Sequence, residues 1–153
     1  MHPTYQHLQR ARLWSLLGDL PAIASAPTGE SSDASETGDY RLEALQLDLN
    51  GGDPVPAFLA KPLDGRGPWP AIVFNHSHGG FYDMGKRELT EGVVYRQDTP
   101  MAVELTRAGF AAICIDHRGF GERQGRGEQR IACDLLWRGQ VMWGMMLYDS
   151  VRV

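Results

Sequence analysis

The chain has little cysteine, no long apolar run and no excess of basic charge, and each shortage removes a class of function. Two cysteines in 153 residues make no disulfide framework, and neither Cys114 nor Cys133 has a companion at metal-ligand spacing. Both read as small core residues, Cys114 in a strand pattern and Cys133 in a helical one. No apolar stretch approaches the roughly 20 residues that cross a bilayer. The opening M-H-P-T-Y-Q-H-L-Q-R lacks the apolar centre of a signal peptide, so the expected location is cytoplasmic, with no membrane partner. A net charge of −4 supplies no basic footprint for nucleic acid, and none is expected as a partner. What is present, 42% hydrophobic and 22% charged residues, is the composition of one globular domain.

Residues 70–81, P-A-I-V-F-N-H-S-H-G-G-F, organise the rest. Ala71, Ile72, Val73 and Phe74, bounded by Pro70 and by Asn75 with Gly79 and Gly80, predict a short buried strand. The polar loop behind it has two glycines that let the backbone turn tightly and bring its N–H groups close to a ligand. Upstream, Leu8, Ala11, Trp14 and Leu17 recur every third residue and predict an amphipathic helix within residues 1–20, stopped by Gly18 and Pro21. Residues 21–40 have almost nothing to bury and read as a mobile connector. Leu45, Leu47 and Leu49 alternate with polar residues, and after a turn Val55 begins a second extended run, together a hairpin.

Downstream, residues 81–98 read as polar and irregular. Thr99 as a cap and Pro100 as the first helical residue predict a helix reaching Ala108, ended by Gly109. A-A-I-C-I, residues 111–115, is a second buried strand, and strand, helix, strand makes a parallel crossover. The loop D-H-R-G-F-G-E-R-Q-G-R-G, residues 116–127, is expected at the surface at that strand's carboxyl end. From Gln129 onward Ile131, Leu135, Met142, Met145 and Met146 keep helical spacing with a break near Gly139. Trp137 and Trp143 read as core beside the methionines.

N-H-S-H-G-G after one buried strand and I-D-H-R-G-F-G-E-R after the next resemble the α/β-hydrolase fold, more narrowly its dienelactone hydrolase and acetyl xylan esterase-like branch. The run L-L-W-R-G-Q-V-M-W-G-M-M-L-Y-D-S-V-R-V is similar to the helix that precedes the nucleophile strand there, and R-L-W-S-L-L-G-D-L-P to the N-terminal helix. The resemblance implies an α/β chain holding the N-terminal half of that fold. A hairpin leads into parallel strands with crossover helices, and the chain is expected to stop before the nucleophile strand. No G-x-S-x-G occurs in the 153 residues, so nucleophile, acid and base are all expected outside them. Residues 1–153 are then a partial domain, with 41–153 as the first half of the sheet and its helices. The chain alone is expected to be inactive, with one sheet edge open to self-association.

In the resembled family the loop after the third strand gives one of the two backbone N–H groups that hold the oxyanion of an acyl-enzyme reaction. Carried onto this sequence, that loop is His76, Ser77, His78, Gly79 and Gly80, with the N–H of His78, or alternatively of Gly79, as donor. The implied substrates are small esters or lactones, and no cofactor is implied. Three other readings stand beside it. The glycines can be a tight turn and nothing more. The chain can be a non-catalytic half or scaffold that pairs with a separate chain. His76 and His78 can hold a metal, since alternate residues of an extended segment point the same way and Asp116 and His117 could lie nearby; no third ligand is fixed by spacing, and no metal is expected. Ser77 reads as a loop hydroxyl with local hydrogen bonds, because no sharp strand-to-helix turn presents it as a nucleophile. Asp116, Arg118, Gly119 and Gly121, with Glu122, read as structural, carboxylate and guanidinium pairing to fix their loop.

Overall fold

The computed structural model describes residues 4–22, 26–49, 51–93 and 98–153. Its sheet has five strands, β1 (Thr28–Glu36), β2 (Tyr40–Asp48), β3 (Val55–Pro62), β4 (Ala71–Val73) and β5 (Ala111–Ile115), in the order β1-β2-β3-β5-β4. The pairs from β1 to β5 are antiparallel, whereas β4 runs parallel to β5 with Ala71 opposite Ala111. The helices are α1 (Tyr5–Ser15), α2 (Glu88–Glu91), α3 (Met101–Arg107), α4 (Glu128–Leu136) and α5 (Met142–Arg152).

β5 shows why an unbroken apolar run forms a strand here. Its side chains alternate between faces, and both faces are covered. Ala112 and Cys114 join Tyr40, Ala60, Leu89, Ala102 and Val103 in one cluster, under α2 and α3. Ile115 joins Leu49, Val55 and Ala57 in another. A third cluster, Phe120, Leu135, Met142, Met145 and Met146, ties α4 and α5 to the loop after β5. Each methionine buried there stabilises by roughly 1.5–3 kcal/mol. The segment that follows α1 rests on α5 at Gly144, where a Cβ would lie 2.0 Å from the Leu17 carbonyl oxygen. Only a glycine admits that approach. No helix among the described residues is long and apolar enough to cross a membrane.

The hairpin, the strand at Ala111–Ile115 and the helix break near Gly139 stand where the sequence puts them, and several other expectations do not. β4 forms where expected but is not buried: Ala71 and Val73 are exposed and Ile72 is half-buried, because the strand ends the sheet and has β5 as its one neighbour among the described strands. The connector expected at 21–40 contains β1, all nine of whose residues are exposed. It pairs backbone to backbone with β2, which costs no apolar burial and so leaves no trace in composition; residues 23–25 lie outside the described residues. The stretch 81–98 is not irregular throughout, since it forms a 3-10 turn at Gly85–Arg87 followed by α2; residues 94–97 lie outside the description. α3 starts at Met101 with Pro100 as its N-cap, and that residue makes no side-chain capping bond. α1 buries none of its residues, so its threefold spacing does not mark a packed face. Trp137 and Trp143 are 91% and 69% exposed; the methionines fill the core face of α5 and leave the indoles outside. Cys114 is buried as expected, with its thiol pushed up by burial, but Cys133 is exposed. The loop 116–127 is not a surface loop at its start, because Asp116, His117 and Phe120 are buried.

Candidate active site

Because β4 and β5 are parallel, the loops that leave their carboxyl ends meet. The loop after β4 is held by three consecutive side chains, each using a different element. His76, 8% exposed, accepts the N–H of His117 on Nε2 at 3.2 Å. Its Nδ1 therefore carries the proton and donates to the Ser77 carbonyl at 3.0 Å. Ser77 donates its N–H and its hydroxyl to Glu88 Oε2 of α2, at 2.8 and 2.5 Å. His78 places Nε2 2.5 Å from Glu128 Oε1 at the start of α4. The other oxygen of Glu128 accepts the Tyr82 hydroxyl at 2.6 Å, and that bond first, then His78, holds the carboxyl below its usual range. Among the described residues, neither the N–H of His78 nor that of Gly79 donates to a protein acceptor.

Burial disfavours the charged form of both inner histidines. It pushes the His76 ring below its ordinary range. It holds His117 at about 4, assisted by His76 and Arg123 nearby. The His117 Nε2 meets Asn75 Oδ1 at 3.2 Å, with the Ser150 hydroxyl on the same oxygen at 2.9 Å. The buried His117 Nδ1 has no partner among the described residues.

The loop after β5 turns around Asp116, which is fully buried. Its carboxylate accepts the Lys86 N–H at 2.6 Å, the Lys86 ammonium at 2.7 Å and the Glu122 N–H at 3.0 Å. Gly85 and Gly121 flank it at φ +49° and +50°, and a Cβ on either would lie 2.1 or 2.3 Å from Asp116 Oδ1. Arg118 pairs with Asp53 at 2.7 Å, and Arg123 with the buried Asp149 at 2.8 Å. The site residues Asp116, Arg118 and Glu122 are thus engaged in ion pairs, but the pairing expected within the loop is corrected. Asp116 and Glu122 share Lys86, because the guanidiniums of the loop point to other carboxylates.

A cavity of about 380 Å³ opens against these loops, walled by residues 75–78, His117, Phe120 and, from α5, Trp143, Met146 and Ser150. Wider clefts, about 430 Å³ beside Arg118 and α4 and about 610 Å³ along α1, do not touch the 75–80 loop. His76 and His78 each spend a ring nitrogen on a different partner. Among the described residues no group of three or more His, Cys, Asp or Glu could hold a metal ion. Lys86, Glu88, Tyr82 and Glu128 do much of the positioning and were not singled out in the sequence. The signal for Glu128 was its place directly after Gly127 at a helix start; for Glu88 there was none.

No protein-family model matches the chain. The fold matches that of solved esterases. With a structure described as a putative acetyl xylan esterase from Bacteroides fragilis NCTC 9343 the TM-score is 0.68 at 17% identity, over 96% of this chain and 41% of that one. With a glucuronoyl esterase from Solibacter usitatus it is 0.55 at 13% identity, over 97% and 47%. At such identities the likeness shows the fold, the mixed α/β arrangement expected from the sequence. In sequence the chain is 46% identical over 143 residues to a Bacillus subtilis (strain 168) protein named "Putative hydrolase YtaP", covering 94% of this chain and 48% of that protein. The chain thus spans about half the length of the curated relative it matches. The structural likenesses carry the fold alone, and the sequence likeness is to a protein named as a hydrolase.

Proposed function

We propose that the chain forms the amino-terminal part of a serine esterase domain that acts on small esters or lactones through an acyl-enzyme, and that it supplies one oxyanion donor, the N–H of His78 with Gly79 as the alternative. One observation carries this reading. Three successive side chains are tied to three separate elements, while among the described residues the N–H groups of His78, which lines the cavity, and of Gly79 beside it have no protein acceptor. A developing oxyanion is stabilised only by donors that are already in place and need no reorganisation. Ser77 is unsuited as the nucleophile, because its hydroxyl donates to Glu88 and both neighbouring imidazoles are engaged elsewhere. The nucleophile, acid and base then come from outside these residues, and β4, which pairs only with β5 among the described strands, offers the edge where a nucleophile strand would add.

The experiment is p-nitrophenyl acetate hydrolysis by the chain alone and by the chain joined to the remaining half of a relative such as YtaP. Loss of one oxyanion donor alone costs about a hundred- to a thousandfold in turnover, and here nucleophile and base are missing too. The chain alone is therefore expected at the level of a denatured control, and the joined protein is expected to turn over. Covalent labelling of Ser77 by a serine probe, with turnover abolished in Ser77→Ala, would overturn the assignment.

A further inference from the structure

We infer that Glu128 is a positioning residue, a clasp whose one carboxylate closes both ends of the glycine turn that presents the proposed donor. The inference rests on the oxyanion reading above and goes beyond it to the side chains that hold the donor still. His78 and Tyr82 flank Gly79, Gly80 and Phe81, and each takes one oxygen of Glu128, at 2.5 and 2.6 Å. The two glycines between them have no side chain with which to hold themselves, and such residues lose the most backbone freedom on ordering. The His78 ring is held further by Trp143, stacked at 5.8 Å and 28°, and by Phe120, edge-on at 5.2 Å. The N–H that must not move belongs to the residue whose ring is held. The clasp is itself seated on the scaffold, since a Cβ at Gly119 would lie 3.5 Å from the Glu128 Cα. An ordinary half-exposed ion pair contributes little. This one differs because both of its partners lie on the loop, so its effect falls on geometry more than on stability.

The test compares Glu128→Ala, which removes both bonds, with Glu128→Gln, which can keep both, and Tyr82→Phe, which removes one. In the joined protein, Glu128→Ala is expected to lower kcat by about tenfold to a hundredfold, the cost of a misplaced catalytic group, with KM changed by less than about twofold. Glu128→Gln should restore most of the rate, and Tyr82→Phe should fall between. In the 153-residue chain, amide NMR signals of His78 and Gly79 should broaden in Glu128→Ala while those of Cys114 and Ile115 stay sharp. Sharp, unshifted His78 and Gly79 signals in Glu128→Ala, or a raised KM at unchanged kcat, would overturn the clasp. If the joined wild type has no esterase activity, the oxyanion reading falls, and the amide signals still decide the clasp. Should Glu128→Ala fail to fold, the Gln and Phe variants give the same two readouts.

Discussion

The loops at the ends of β4 and β5 lie against each other and are held in opposite ways. Residues 75–80 are fixed largely by side chains reaching outward to Glu88, His117 and Glu128, and among the described residues the N–H groups of His78 and Gly79 remain unspent. Residues 116–127 are fixed by spending backbone groups. The N–H of Glu122 goes to Asp116, that of Gly119 to the Arg123 carbonyl and that of Phe120 to the His117 carbonyl. A loop that must offer its backbone to a ligand has to be held by side chains, whereas a loop that only supports can close on itself. The holding is also distributed differently, over three anchors in the first loop and, in the second, around one buried carboxylate with Arg118 and Arg123 paired outward to Asp53 and Asp149.

That contrast is open to direct attack, the sharpest blow falling on Asp116. Asp116→Ala leaves the buried Lys86 ammonium with only the largely exposed Glu122 and should cost about 3–5 kcal/mol in urea unfolding. A loss below about 1 kcal/mol would mean that the carboxylate is not the hub. Acid attacks the seam between the loops. His117 ordinarily titrates near 6.5 and is held at about 4 in the fold, so the unfolded chain takes up a proton that the folded chain refuses. Its contribution is full above pH 6.5 and is lost as pH falls towards 4, about 3 kcal/mol in all. Unfolding of wild type and His117→Asn at pH 7 and pH 4 reads it; equal pH dependence in both would remove His117 from the account. The smallest effect is expected at Ser77→Ala. Glu88 keeps the Ser77 N–H, and the lost hydroxyl bond should cost about 1 kcal/mol. A loss as large as that of Asp116→Ala would erase the distinction between shared and single anchorage.

How far the fold could be read from the sequence follows the same division. Ala111 to Ile115 was legible because burial on both faces writes itself as an apolar run. Thr28–Glu36 was not, because a strand made only of backbone pairing leaves serine, aspartate and glutamate free to occupy it. The candidate loop was visible as His76 to Gly80, but its anchors were not. Glu88 and Glu128 lie 11 and 50 residues downstream of their partners; nothing local marks Glu88, and the helix start at Glu128 does not say which loop it reaches. In the second loop the involvement of its charges in ion pairs was legible and the partner was not: an arginine stood next door in sequence, while the lysine that binds Asp116 comes from 30 residues away. Trp137 and Trp143 misled because helical spacing sets which side chains share a face, not which face is covered.

The cradle around Asp116 bears on how such a chain can change over generations. Gly85 and Gly121 are excluded from gaining a side chain twice over, by the carboxylate lying 2.1 and 2.3 Å from a would-be Cβ and by their positive φ. Removing the carboxylate lifts the first bar and leaves the second. Lengthening it to glutamate would push a methylene into space that exists only because both neighbours lack a Cβ. Positions 85, 86, 116 and 121, spread over three separate places in the chain's length and joined around one buried group, therefore admit few single-step exchanges. Drift in this half of the molecule should run around them, so that the same four residues persist together while the exposed strand and helix at the amino end are rewritten freely.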